Sequence, residues 1–354
     1  MNLSNHITAF AKLGNFLKKY STNSDPKNNK IFTEELNRNT AEAFNVQINQ
    51  ATNANNWFTT ENIKYALSVW GDLLTENNLK KWTANYSFAT DRTKTVAVIM
   101  AGNIPLVGFH DFLSVLMAGH QIEIKQSSND QHLLPLISQY LISTNPQFKN
   151  LIEFKKDKTI NNYDAAIATG SNNTARYFEH YFKRKPHIIR KNRNGVAVLT
   201  GNETETELKQ LGEDIFRYFG LGCRSVSKLY VPKNYNFDPF FNAIYAYKDI
   251  INYPKYQNNY DYNKAVYLMS EFKLLENGFL MLKEDSNFAS PIATLFYEYY
   301  TDLDQLEIQL NTQKEHIQCV VGNIKNGIDF GTTQQPSLTD YADGVDTMAF
   351  LTKI

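Results

Sequence analysis

Four short runs rich in apolar residues, each leading into turn formers, constrain this chain more than any other feature: TVAVIMAG from Thr95, QIEIK from Gln121, YDAAIATG from Tyr163 and GVAVLTG from Gly195. The almost uninterrupted apolar run TVAVIMAG reads as a strand covered on both faces, as in parallel sheets flanked by helices, and the other three read as further short strands. The stretches between them carry helical spacing, over Val107 to Ala118, QHLLPLISQYLI, NTARYFEHYF and Glu205 to Phe219. Alternating strand and helix predict an α/β fold with a doubly wound parallel sheet, whose ligand-binding loops lie at the carboxyl ends of the strands. The loops to read are therefore AGNIP, KQSSND and ATGSNN.

At 354 residues the chain exceeds one compact core. Residues 1–90 read as an N-terminal helical layer, with Ile63, Ala66, Leu67 and Trp70 on one helical face and Thr60 as its cap. Residues 91–190 form the expected dinucleotide-binding α/β domain, and residues 191–335 a second α/β domain. Beyond Pro254 the Tyr- and Asn-rich sequence shows no readable period. The end of the chain, from Phe330, has too many turn formers for one long helix. Residues 336–354 are expected to be a structured tail with a short terminal element that returns to the core or to an oligomer interface.

Lys plus Arg and Asp plus Glu balance at 36 each, so no long-range field draws the chain to nucleic acid or an anionic membrane. A small-molecule partner fits better. No apolar run approaches the roughly 18 residues of a membrane span, and MNLSNHITAFAKLGNFLKKY lacks the apolar block of a secretory signal. With only Cys223 and Cys319, the chain suits a reducing compartment, and the cytoplasm is the expected location.

Cys223 sits in FGLGCRSVSKLYVP, where glycines permit close approach of a ligand and Arg224 could stabilise a thiolate. A lone cysteine is more often a small core residue. In AGNIPLVGFHDF, Asn103 lies in a strand-to-helix turn and could donate to an oxyanion or merely cap the helix. Lys125 ends a strand, where it could hold a ribose or phosphate or simply be solvated. Gly170 and Ser171 close one strand and open a helix, a place for an anion or a tight turn. His110, His120, His180 and His187 lack metal-ligand spacing, so no metal is expected. Hydrolase and triphosphatase signatures, GxSxG and GxxxxGKS, are absent.

In order, AGNIP, IEIKQSS, ATGSNNTAR, RNGVAVLTG and FGLGCRSVSKLYVP resemble the aldehyde dehydrogenase superfamily, in particular its acyl-CoA reductase branch related to LuxC. The resemblance spans about residues 95–354 and includes QCVVGN and PSLTDYADGVDTMAFL. It implies a cofactor domain, a catalytic domain and a homo-oligomer, a dimer first. It also implies Cys223 as nucleophile, Asn103 as oxyanion donor, and Lys125, Ser127, Gly170 and Ser171 as cofactor contacts. Glu298 would touch the nicotinamide ribose. The superfamily's hydrolytic members keep a general-base glutamate ahead of the GVAVL-like strand, whereas no carboxylate occurs here between Glu179 and Glu203.

The expected activity is reduction of an acyl thioester, acyl-CoA foremost, to an aldehyde by NADPH or NADH through a Cys223 acyl-enzyme. An oxidising aldehyde dehydrogenase or an acyl-phosphate reductase would share the fold, and so would a non-catalytic scaffold that binds a partner. Rapid labelling of one thiol, with protection by reduced cofactor, separates enzyme from scaffold.

Overall fold

The computed structural model describes residues 3–23, 32–88, 93–155, 160 and 162–354. The chain divides into two compact units, one of Met1–Lys191 with Ser337–Ile354 and one of Asn192–Pro336. The expected boundary at residues 90 and 91 lies outside the described residues.

The first unit opens with helices α1 (Leu3–Thr22), α2 (Glu35–Ala54), α3 (Thr60–Leu73) and α4 (Glu76–Thr83). Their apolar stripes, among them Phe10, Leu13, Leu17, Phe44, Ile48, Ile63 and Leu67, join one hydrophobic cluster with the α/β core that follows. The cap of α3 is Thr59 and not Thr60: Thr59 is extended and its hydroxyl accepts from the Asn62 amide, while Thr60 has already entered the helix.

The α/β core then runs β1 (Thr95–Ile99), α5 (Phe109–Met117), β2 (Gln121–Lys125), α6 (Leu133–Thr144), β3 (Ile152–Phe154), β4 (Ala165–Thr169), α7 (Asn172–Phe182) and β5 (His187–Arg190). All neighbours are parallel, in the order β3-β2-β1-β4-β5. The sheet is doubly wound, with its switch between β1 and β4. Its central strands are buried on both faces, as their sequence requires: Val96, Ala97, Val98, Ala165, Ala166, Ile167 and Ala168 are all nearly inaccessible.

The second unit runs β6 (Asn194–Val198), α8 (Glu205–Phe216), β7 (Val226–Pro232), α9 (Asp238–Ile244), α10 (Pro254–Met269), β8 (Leu274–Glu276), β9 (Met281–Glu284), β10 (Thr294–Tyr300), α11 (Leu303–Thr312) and β11 (Ile317–Val321). Its sheet has the order β11-β6-β7-β10-β9-β8 and is parallel except for the β8–β9 pair. Helix α8 begins in a capping box between Thr204 and Glu207. It stops at Phe216, short of the expected Phe219, because Tyr218 and Phe219 take positive φ. Helix α10 escaped sequence reading because it has no apolar stripe: it buries only Tyr256, Tyr260 and Asn263.

The tail, ending in α12 (Thr347–Leu351), is held by the first unit through polar anchors. His110 Nε2 donates to the Leu338 carbonyl at 3.0 Å and His120 Nε2 to the Leu351 carbonyl at 2.9 Å. Burial lowers the pKa of both rings, so they are neutral near pH 7 and serve as structural donors. Trp82 Nε1 donates to the Tyr341 hydroxyl at 2.7 Å, and buried Arg190, ion-paired with Asp111, reaches Thr347 Oγ1 at 2.9 Å.

Candidate active site

In the first unit, three adjacent strands end at one edge. Ile99 at the end of β1 pairs with Lys125 of β2 on one side and with Ala168 of β4 on the other. The turns after these strands therefore bring Asn103, Lys125, Ser127, Gly170 and Ser171 to the same edge, at the switch point where open α/β sheets bind ligands. The first two turns also touch. A methyl on Gly102 would lie 2.7 Å from Ser127 Cβ and Oγ, so the glycine lets the AGNIP turn press against the KQSSND turn.

Asp130 ties them together electrostatically. Its Oδ2 accepts from the Leu106 amide at 2.9 Å, holding a residue whose φ is +58°. Burial raises this carboxyl to about pKa 6, against the opposing effect of the Leu106 bond. Sequence reading missed Asp130, since nothing local distinguishes it from the solvated acids of other loops.

Asn103 is exposed, Lys125 and Ser127 are half-buried, and Ser171 is exposed. Ser171 caps α7 by accepting from the Thr174 amide, and a methyl on Gly170 would come within 3.0 Å of Thr174 Cβ. Both residues thus have local structural work at the turn. The first turn of α7 carries no acidic residue, and with Lys125 nearby on the same edge the donor set suits an anionic dinucleotide.

Cys223 and Glu298 belong to the second unit. Cys223 is exposed, whereas Cys319 is buried. Cys223 lies in a turn at the head of β7, reached through Tyr218, Phe219 and Gly220, all with positive φ. For the two aromatic residues this backbone costs about 1–2 kcal/mol each. Burial of both rings and stacking of Phe219 on Tyr253 at 4.5 Å offset it. The other side of the turn presses on β6: a methyl on Gly195 would lie 2.5 Å from the Arg224 carbonyl. Arg224 Nε donates to the Thr333 carbonyl at 2.6 Å, which fixes its guanidinium to a neighbouring segment.

Glu298 pairs with Tyr230, four residues into β7, so it lies about 13 Å along that strand from Val226. Its carboxylate is bound at 2.7 Å by Lys228, whose side chain is wholly buried and also donates to the Ser286 carbonyl. The register does not make Glu298 a neighbour of Cys223. Among the described residues, no group of His, Cys, Asp or Glu is arranged to hold a metal ion.

A profile of the acyl-CoA reductase (LuxC) family matches residues 22–279. The chain belongs to that family. As a LuxC family member it is an oxidoreductase, and its fold is that of the aldehyde dehydrogenases. Solved structures similar to it include an indole-3-acetaldehyde dehydrogenase in complex with NAD+, at 12% identity and a TM-score of 0.59, over 92% of this chain and 77% of that one. An NAD-dependent aldehyde dehydrogenase from Sinorhizobium meliloti aligns with a TM-score of 0.59 at 11% identity, over 89% of this chain and 70% of that one. The Mycobacterium tuberculosis aldehyde dehydrogenase in complex with NAD+ gives 0.58 at 11% identity, over 86% and 70%. No curated protein matches the sequence. No helix among the described residues is long and apolar enough to cross a membrane.

Proposed function

We propose that this LuxC family member reduces an acyl thioester, acyl-CoA foremost, to an aldehyde with NADPH or NADH as reductant, and that Cys223 carries the acyl group. The observation that carries this reading is the exposed Cys223 on a strained, glycine-flanked turn, in a chain whose other cysteine is buried. The Cys223 thiolate attacks the thioester carbonyl, a new sulfur–carbon bond forms, and the carbon–sulfur bond to coenzyme A breaks. The departing thiolate takes up a proton. The Cys223 amide and the Asn103 side chain are the donors assigned to the oxyanion. When bound, reduced nicotinamide would supply a hydride to the acyl carbon, and the carbon–sulfur bond to Cys223 would then break to release the aldehyde and regenerate the Cys223 thiolate. Lys125, Ser127, Gly170 and Ser171 would hold the dinucleotide, and Lys228, bound to the Glu298 carboxylate at 2.7 Å, orients it for a ribose contact. The active species is a homo-oligomer, a dimer first, located in the cytoplasm.

Hydrolysis of the acyl-enzyme would need a base, and no carboxylate lies between Glu179 and Glu203. Glu203 itself is occupied, accepting from Thr200 and Gly201. Incubated with acyl-CoA and no reduced cofactor, the protein should hold a stable adduct on Cys223 that free coenzyme A discharges much faster than water. An adduct that persists in Cys223→Ala by intact mass spectrometry would assign the nucleophile elsewhere. Steady release of free acid without coenzyme A would reassign the reaction to hydrolytic aldehyde oxidation.

A further inference from the structure

The segment from Phe330 to Gln334 runs beside the Cys223 turn, and a single carboxylate organises it. Asp214, in the last turn of α8, is almost wholly buried and forms no ion pair among the described residues. Its Oδ2 accepts from the Gly331 amide at 2.7 Å and its Oδ1 from the Thr333 amide at 2.9 Å. Thr333 then uses its carbonyl to accept from Arg224 Nε at 2.6 Å. One residue later, Gln334 Nε2 donates to Ser225 Oγ at 3.3 Å. The two residues that follow Cys223 are thus both gripped by a segment whose amides are fixed by Asp214.

We infer that Asp214 is a positioning residue for Cys223, acting through the Gly331–Thr333 amides and the Thr333 carbonyl on Arg224. The inference rests on the reading of Cys223 as the acyl acceptor. Burying a carboxylate without a cation is costly, and here burial pushes its pKa up to about 6 despite the amide donors. A backbone loop could be packed at less cost by apolar side chains. What the carboxylate adds is two acceptor oxygens that lock amides two residues apart in one orientation, and this sets the direction of the Thr333 carbonyl. Arg224 and the Cys223 turn inherit that orientation, on a backbone already held in the left-handed region at Tyr218, Phe219 and Gly220.

Asp214→Asn tests this, because the amide offers one acceptor and turns a donor toward the other N–H. The variant should lower kcat for acyl reduction by roughly tenfold or more with the KM for reduced cofactor little changed, as for a misplaced reacting group. The pH profile of Cys223 alkylation by iodoacetamide should move, with the rate near pH 7 falling roughly tenfold. Arg224→Gln should reproduce both effects, and the double variant should be no worse than either single one, because both cut the same chain of contacts. A folded Asp214→Asn with wild-type kcat and a wild-type alkylation profile would overturn the inference. If Asp214→Asn fails to fold, unchanged kcat and alkylation in Arg224→Gln would do the same. Peptide mapping of the acyl adduct separates the two questions: an adduct on another residue defeats the nucleophile assignment, while alkylation of Cys223 still reports its positioning.

Discussion

Replacing Asp130 with Asn should change the stability of the protein in a way that depends on pH. Burial raises the Asp130 carboxyl from 3.8 to about 6 in the folded state. A raised folded pKa means that the native state holds this proton more tightly than the unfolded chain. The group therefore contributes stability that is fully present below about pH 4 and lost as pH rises through about 6. Complete loss amounts to about 3 kcal/mol, from roughly two units at 1.36 kcal/mol each. Between pH 5 and pH 8 the remaining change is about 1.4 kcal/mol, because the group is already almost fully ionised in the unfolded chain at pH 5. Asn is nearly isosteric, can still accept from the Leu106 amide, and does not titrate. The unfolding free energy of Asp130→Asn minus that of the wild type should therefore rise by about 1 to 1.5 kcal/mol from pH 5 to pH 8. Urea unfolding followed by circular dichroism at several pH values, with a common slope, measures it. Asp214 titrates in both proteins and cancels. A difference that is flat, or that falls with pH, would refute the assignment of a buried, largely uncompensated carboxylate to this turn.

Arg190→Met should destabilise the first unit by about 3 kcal/mol or more in urea unfolding, since it strands the buried Asp111 carboxylate and releases the Thr347 hydroxyl of the tail; a loss below about 1 kcal/mol would mean that the pair contributes little. Asn103→Ala should lower kcat by roughly a hundredfold with a smaller effect on KM, and unchanged activity per folded molecule alongside a lower Tm would return Asn103 to a capping role. Lys125→Ala should raise the KM for reduced cofactor more than that for the acyl donor, and a larger penalty with NADPH than with NADH would place the lysine at the 2′-phosphate. Equal and negligible changes with both cofactors would make it a solvated strand-end lysine.

The sequence alone determined whatever depends on neighbours a few residues apart. The apolar runs at Thr95, Tyr163 and Gly195 specify strands buried on both faces because their composition leaves no polar face, QIEIK from Gln121 alternates and specifies a strand buried on one face, and the glycines and asparagines after them specify turns. From these follow the α/β class, the edge on which Asn103, Lys125 and Gly170 lie, and the prominence of Cys223 between α8 and β7. Helix α10 was illegible because the residues it buries, Tyr256, Tyr260 and Asn263, are no more apolar than its exposed Tyr262, Val266, Leu268 and Met269, so no apolar face stands out.

Tertiary structure decided what joins distant residues. That β4 lies beside β1, and so places Ser171 near Asn103, is a matter of strand order, which no local pattern encodes. Asp214 and Thr333 are 119 positions apart, and Arg224 and Thr333 are 109 apart. The left-handed backbone at Tyr218 and Phe219 is tolerated only because packing buries their rings, and Leu106 is held at positive φ by a carboxylate 24 residues away. Local preference disfavours each of these conformations, and only the free energy of the assembled core and its long-range hydrogen bonds selects them.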